Sequence, residues 1–171
     1  IKTLYKQFQN FMVDFEQLVR EHSSIICLGQ DGLEADDLIG GMAEMAHKDG
    51  DQIVIISGDK DMIQLLRYNK GRFENELPTV MIIDPATGNK REHEDPEYFM
   101  FEKCIRGDTG DNVHSAFPRV RVTKIREAYL DAFKRVNMMN ETWTNENGKT
   151  MLVKRMFEEN KLLMDLTAQP P

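Results

Sequence analysis

"DQIVIISGDKD", residues 51–61, is the stretch on which the fold turns. Ile53, Val54, Ile55 and Ile56 form an unbroken apolar run that stops at Ser57 and Gly58, and two carboxylates follow. A short, β-branched run without alternation reads as a strand covered on both faces, the habit of a parallel sheet. Upstream, "EADDLIGGMAEMAHKDG" (34–50) reads as a helix with acids in its first turn, where the macrodipole favours them, and with Gly50 as its stop. "SIICLG" (24–29) reads as a short buried strand before it. Downstream, "KDMIQLLRY" resumes helical spacing through Met62, Leu65 and Leu66, "TVMIID" is a further strand, and "DPATGNK" carries Pro and Gly in turn positions. Strand, helix, strand is the βαβ order, so an α/β fold with a parallel sheet is expected.

The flanks are helical. Leu4, Phe8, Phe11, Met12, Phe15, Leu18 and Val19 recur at three- and four-residue steps, giving a helix over 2–21 whose apolar stripe is expected to pack into a core. Asp95 and Pro96 form an N-cap and N1 pair that starts a helix ending at Gly107. A second helix is expected over 123–135, capped by Thr123, and a last one over "MLVKRMFEENKLLMDL". Residues 137–150 read as a polar, turn-rich loop anchored by Trp143, and no strand is expected beyond Asp95.

The totals bound the class. A chain of 171 residues with 40% hydrophobic content can bury one sizeable core. Cys27 and Cys104 lie far apart without a CxxC, which gives neither a disulfide framework nor a zinc site and fits a reducing compartment; both read as buried small hydrophobes. No apolar run approaches the roughly 20 residues of a membrane span, so a soluble cytoplasmic protein is expected. Net charge is −7, which at face value argues against a nucleic-acid partner. Setting aside the seven acids considered next leaves 22 acidic against 22 basic groups, and the overall acidity then says nothing about partners.

Those seven fall in three groups. Glu34, Asp36 and Asp37 occupy the first turn of a helix, where dipole complementation accounts for them as well as a metal does. Asp59 and Asp61 end the buried strand, where open α/β sheets present ligand sites; the alternative is an N-capping Asp59 with Asp61 incidental. Asp108 and Asp111, in "CIRGDTGDNV" (104–113), can converge if the glycines allow a tight turn. Adjacent carboxylates repel unless a cation neutralises them. Hard oxygen donors without Cys or His pairing point to Mg²⁺ or Mn²⁺, and about seven acids suggest two ions and phosphodiester chemistry. Asn112 and the acid-free run Arg119, Arg121, Lys124, Arg126 form the best local phosphate-binding patch, a solvated helix end being the plainer reading.

"GLEADDLIG", "ISGDKDMIQLL" and "RGDTGDN" followed by a basic turn resemble, in order and spacing, the 5′ nucleases: flap endonucleases, the 5′-exonuclease domains of bacterial DNA polymerases, and phage enzymes including RNase H. The resemblance implies a PIN-like, Rossmann-like α/β fold, with a mostly parallel sheet flanked by helices and a C-terminal helix-three-turn-helix region that grips duplex. It places the nuclease domain at 1–95 and the helical DNA-binding region at 96–171. Glu34, Asp36, Asp37, Asp59, Asp61, Asp108 and Asp111 match the family's metal-binding acids, with Asp59, Asp61 and Asp37 central to catalysis. The implied activity is hydrolysis near 5′ ends of DNA or RNA annealed to DNA, in primer or flap removal. Branched or nicked duplex or an RNA–DNA hybrid would be the partner, alongside replication proteins, and the chain is expected to be monomeric.

Two departures from the pattern stand out. The family's DNA-binding turn is usually glycine-rich, whereas "AFPRVRVTKIR" holds arginines there, so the turn is expected to differ in backbone or to give up amide contacts to phosphate. The family also carries an N-terminal strand and a basic arch, whereas 33 residues precede Glu34 here and the chain begins with Ile1. A fragment of a longer enzyme is therefore expected, with weak or absent turnover by itself. Rival readings are a non-catalytic DNA-structure-binding module of the same fold and a PIN-type ribonuclease.

Overall fold

The computed structural model describes residues 2–71 and 77–167. It divides into two units, residues 1–38 and 39–171. In the first, α1 (Lys2–His22) forms as its periodicity requires. Its apolar stripe does not become core: Leu4, Phe8, Phe11, Phe15 and Leu18 are all exposed. The helix is held locally instead, by Arg20 Nε to Glu16 (2.9 Å), by Gln17 to Glu21 (2.8 Å) and by a Phe11–Phe15 stack, all at i, i+4. "SIICLG" is not a strand. Ile25, Ile26 and Leu28 are exposed, Cys27 is half-buried, and no described residue offers this segment a ladder, without which apolar β-branched composition has no extended partner to bind.

In the second unit the 51–61 reading holds in type and fails in one detail. Residues 39–49 complete α2 (Ala35–Asp49), which stops at Gly50 with φ +78°. β1 (Ile53–Ile56) pairs in parallel with β2 (Val80–Ile83), Ile53 opposite Val80 and Ile56 opposite Ile83. The crossover between them is a 3-10 helix, Asp61–Asn69, so the βαβ unit falls one element later than expected. β3 (Lys90–Arg91) adds an antiparallel edge, Ile82 opposite Arg91, and the sheet is mixed with order β1-β2-β3. Ile55 is buried while Val54 and Ile56 are 54% and 69% exposed, so β1 is covered on one face and not two. The covered face packs on Met62, Leu65 and Leu66 of the crossover, with Ala43, Val80, Ile82 and Leu166.

Two side-chain amides, Asn69 half-buried and Gln64 buried, fix this layer. Asn69 donates to the Val80 carbonyl (2.8 Å) and accepts from its N–H (2.9 Å), satisfying the backbone where β2 begins. Gln64 donates to Met164 O (3.1 Å) and accepts from Leu166 N–H (2.9 Å), tying the chain's far end to the crossover.

The rest is helical apart from one hairpin. α3 (Pro96–Arg106) starts as its cap residues dictate, the Asp95 carboxylate accepting from Tyr98 N–H at 2.9 Å. The single helix expected over 123–135 is two: α4 (Val122–Leu130) and α5 (Ala132–Met139). Thr123 caps neither. Asp131 breaks the run because its carboxylate accepts from Phe133 and Lys134 N–H, opening a new helix with the preference of an N-cap aspartate. The loop expected at 137–150 contains β4 (Thr142–Thr144) and β5 (Thr150–Leu152), an antiparallel hairpin around Gly148 at φ +75°. Trp143 does anchor it, donating Nε1–H to Ala116 O at 2.9 Å. α6 (Val153–Met164) follows, and Phe101, Ile105, Ile125, Ala128, Met138 and Val153 form a second core. No helix among the described residues is long and apolar enough to cross a membrane.

The two thiols differ in a testable way. Cys104 is buried in α3, and burial pushes its pKa up to about 12, whereas Cys27 is half-buried. At pH 8 a thiol reagent should label one cysteine of the native chain at least about a hundredfold faster, because the thiolate is the nucleophile. Mass mapping should place that label on Cys27, and the Cys104 label should appear on unfolding.

Candidate metal centre

The end of β1 turns on its own side chains. Ser57 Oγ accepts from Asp59 N–H (3.0 Å), and Asp59 Oδ1 accepts from Asp61 N–H (2.8 Å). One oxygen of Asp59 thereby shapes the turn, and Asp61 becomes the first residue of the crossover helix.

The second loop explains why a glycine-flanked segment carries two aspartates. α3 ends at Gly107, with φ +71° and ψ −177°, a region open to glycine almost alone. Asp108 and Val113 then exchange both backbone hydrogen bonds (2.9 and 2.8 Å), closing a small loop, and Gly110 N–H donates to Asp108 Oδ1 at 2.8 Å. Asn112 takes φ +58° within it. The Ile105 carbonyl accepts from Ala116 N–H, Phe117 N–H and the Ser115 hydroxyl, and buried Asn160 donates to Cys104 O (2.9 Å) and His114 O (2.8 Å). The loop is thus pinned at both ends, one aspartate bonded within it and the other presented.

The two loops meet. One carboxylate oxygen each from Asp61, Asp108 and Asp111 lies within 4.8 Å of the others, Asp61 and Asp108 half-buried and Asp111 exposed. Asp59 is not in the group; its Oδ1 accepts from Asp61 N–H, and no hydrogen bond among the described residues engages its Oδ2. Glu34, Asp36 and Asp37 lie in the first unit, where the Asp37 carboxylate accepts from Glu34 N–H at 3.0 Å, the arrangement of a helix start.

Sequence reasoning missed Lys103. On α3 and only 10% exposed, its ammonium bonds Asp61 and lies 3.0 Å from Asp108 Oδ2. Burial works against its charge, but the two carboxylates outweigh that and raise its pKa. Lys103 also holds the Asp108 carboxyl below the usual range, with Gly110 N–H assisting. The only signal was position, since residue 103 stands one helical turn before the loop, and lysines in a charged helix are common.

The basic run divides. Arg119 takes φ +61°, so this arginine does adopt the left-handed conformation that the sequence argued against, at a cost of roughly 1–2 kcal/mol. Arg119 and Arg121 are exposed beside an open cleft lined by Phe117, Pro118 and Thr123. Lys124 instead bonds Glu141 (2.7 Å), and the Arg126 guanidinium lies 4.2 Å from the Tyr98 ring centre and 3.8 Å from Asp95. Lys124 and Arg126 thus also brace helices, and Lys124 lines the same cleft as the two arginines.

The donor set of three carboxylates, with no nitrogen or sulfur, fits a hard divalent cation such as Mg²⁺ or Mn²⁺. An α/β fold with such a set at the end of a parallel strand defines a class, and comparison with known proteins places it. The model of the 5′-3′ exonuclease N-terminal resolvase-like domain matches residues 3–99, and the chain belongs to this family. The 5′-3′ exonuclease of Buchnera aphidicola (subsp. Schizaphis graminum) is 32% identical over 110 residues, 64% of this chain and 36% of that protein. DNA polymerase I of Bacillus subtilis is 30% identical over 130 residues, 75% of this chain and 14% of that protein. The flap endonuclease of bacteriophage T5, solved with DNA and metal ions, superimposes with a TM-score of 0.67 at 19% identity, covering 97% of this chain and 61% of that one. The shared fold is the resolvase-like, PIN-type α/β fold. The chain spans about a third of the length of the Buchnera exonuclease.

Proposed function

We propose that the chain is part of a divalent-metal-dependent 5′ nuclease that hydrolyses phosphodiesters near the 5′ end of a strand annealed to DNA. One observation carries the reading: in a member of the 5′-3′ exonuclease family, carboxylates 47 and 50 positions apart in sequence are brought within 4.8 Å at the end of a parallel strand. Asp61, Asp108 and Asp111 would hold the cation, Mg²⁺ or Mn²⁺, and a second ion would draw on further carboxylates. A cation held there supplies charge that lowers the pKa of water and stabilises the departing oxygen. The chain's own part is positioning. Asp59 fixes the turn that aims Asp61, the closed 108–113 loop aims Asp108 and Asp111, and Arg119 and Arg121 offer guanidinium groups to backbone phosphate. Residues 96–171 would supply the duplex-gripping region, with flapped or nicked DNA or an RNA–DNA hybrid as substrate.

Because the chain spans part of its relatives, turnover is to be measured with protein in excess over a labelled 5′-flapped duplex. The expected result is Mg²⁺-dependent release from the 5′ end, slow, and at least about a hundredfold faster than in Asp61→Asn. Equal rates in the two proteins would overturn the reading. Salt-sensitive duplex binding without Mn²⁺ uptake would favour the non-catalytic DNA-binding module instead.

A further inference from the structure

We infer that Lys103 is the internal counter-ion of the metal centre: its ammonium holds Asp61 and Asp108 together and gives way when a divalent cation takes its place. The inference rests on the metal reading proposed above and adds a competitor built into the chain. Lys103 bonds Asp61 and reaches Asp108 at 3.0 Å, bridging both loops that supply the carboxylates. Its side chain is 10% exposed, against 67% for Lys48, which pairs with Glu44 on the surface, so its position is set by packing and not by chance pairing in water.

Charge decides the direction of exchange. Three carboxylates within 4.8 Å repel, and one ammonium offsets a single negative charge, whereas a divalent cation offsets two and draws in the exposed Asp111 as well. An ammonium sharing the pocket with that cation is repelled at short range, and lysine has a flexible four-carbon stem with which to withdraw. The cleft alongside, lined by Tyr98, Phe99, Glu102, Arg106 and Thr109, leaves it room to move, with Glu102 already paired to Arg106 at 2.9 Å. A ready-made counter-ion of this kind keeps the acids folded together without metal and weakens metal binding, so that affinity is set by the lysine as well as by the ligands.

The test compares the wild-type chain with Lys103→Met, which keeps most of the stem, and Lys103→Arg, which keeps the charge. Mn²⁺ is titrated calorimetrically, and melting is followed in EDTA and in excess Mn²⁺. Removing a unit charge at hydrogen-bond range should tighten Mn²⁺ binding by about tenfold or more in Lys103→Met. That variant should also melt below wild type in EDTA and gain more from Mn²⁺, as linkage requires. Lys103→Arg should bind Mn²⁺ no more tightly than wild type. Unchanged or weaker Mn²⁺ affinity in Lys103→Met, with wild type binding measurably, overturns the inference and leaves the metal reading standing. Absence of uptake by wild type removes the metal reading itself, and this inference with it. A measurement independent of any variant is the Lys103 Nζ resonance in wild type, which should shift on adding Mg²⁺; a resonance unmoved at saturating Mg²⁺ overturns the exchange.

Discussion

Asp61→Asn should lower Mn²⁺ affinity by at least about a hundredfold, while Asp59→Asn, two residues away, should lower it by about tenfold or less. The two residues look equivalent in "SGDKD" and differ in what their carboxylates touch. Asp61 reaches Asp108 and Asp111 across 47 and 50 residues of sequence, so asparagine there removes a charged oxygen from the donor set. The Asp59 carboxylate accepts from Asp61 N–H at 2.8 Å, a task needing only an acceptor oxygen, which asparagine retains. Calorimetric titration of both variants with Mn²⁺ checks this. Equal losses would mean that both aspartates bind the ion.

Gly107→Ala should be the most damaging of the glycine-to-alanine changes. At φ +71° and ψ −177° a side chain is strained whatever the space, and a Cβ at this position would meet Val113 O at 2.4 Å, His114 C at 2.6 Å and Ser115 N at 2.7 Å. All three are backbone atoms of the segment held by Ile105 and Asn160, so none can move without undoing those bonds. A loss of about 3 kcal/mol or more is expected, which in a chain of this size lowers the melting temperature by about 6–12 °C. Gly148→Ala is the control: its φ is +75° but nothing lies within 4 Å of the added carbon, so about 1 kcal/mol is expected. Since Asp108 adjoins Gly107, the same substitution should weaken Mn²⁺ binding even in the fraction that stays folded. Thermal unfolding of both variants, with and without Mn²⁺, separates the two effects.

How much of this was legible in residues alone depended on whether the deciding partner was local. "IVII" named a strand, Asp95 with Pro96 named a helix start, and Gly50 and Gly107 named stops, because each signal acts within a few positions. "SIICLG" and the α1 stripe misled because apolar composition says that a segment can be buried, not what would bury it; Ile26 ends 80% exposed. The hairpin at 142–152 was hidden because its strands are three residues each and mixed with turn formers. Asp131 split a helix by bonding two N–H groups, a choice its spacing did not require.

The site was legible in the same measure. Asp61, Asp108 and Asp111 came from the anion pattern, and the convergence of two loops is what makes them one group. Asp59 stands apart from that group because alternation along an extended backbone places i and i+2 side by side, whereas the strand ends at Ile56 and the chain has already turned by Asp59. Lys103 carried no pattern at all, since a counter-ion is defined by what lies across from it.

The claim beneath the whole account is that two loops share one cation. It is tested most directly by paramagnetic broadening: substoichiometric Mn²⁺ is added to the ¹⁵N-labelled chain and the amide signals of each residue are followed. The account predicts that Asp61 and residues 108–111 broaden together at the lowest Mn²⁺ levels. Broadening confined to one of the two loops, or first appearing at other acids, would contradict it.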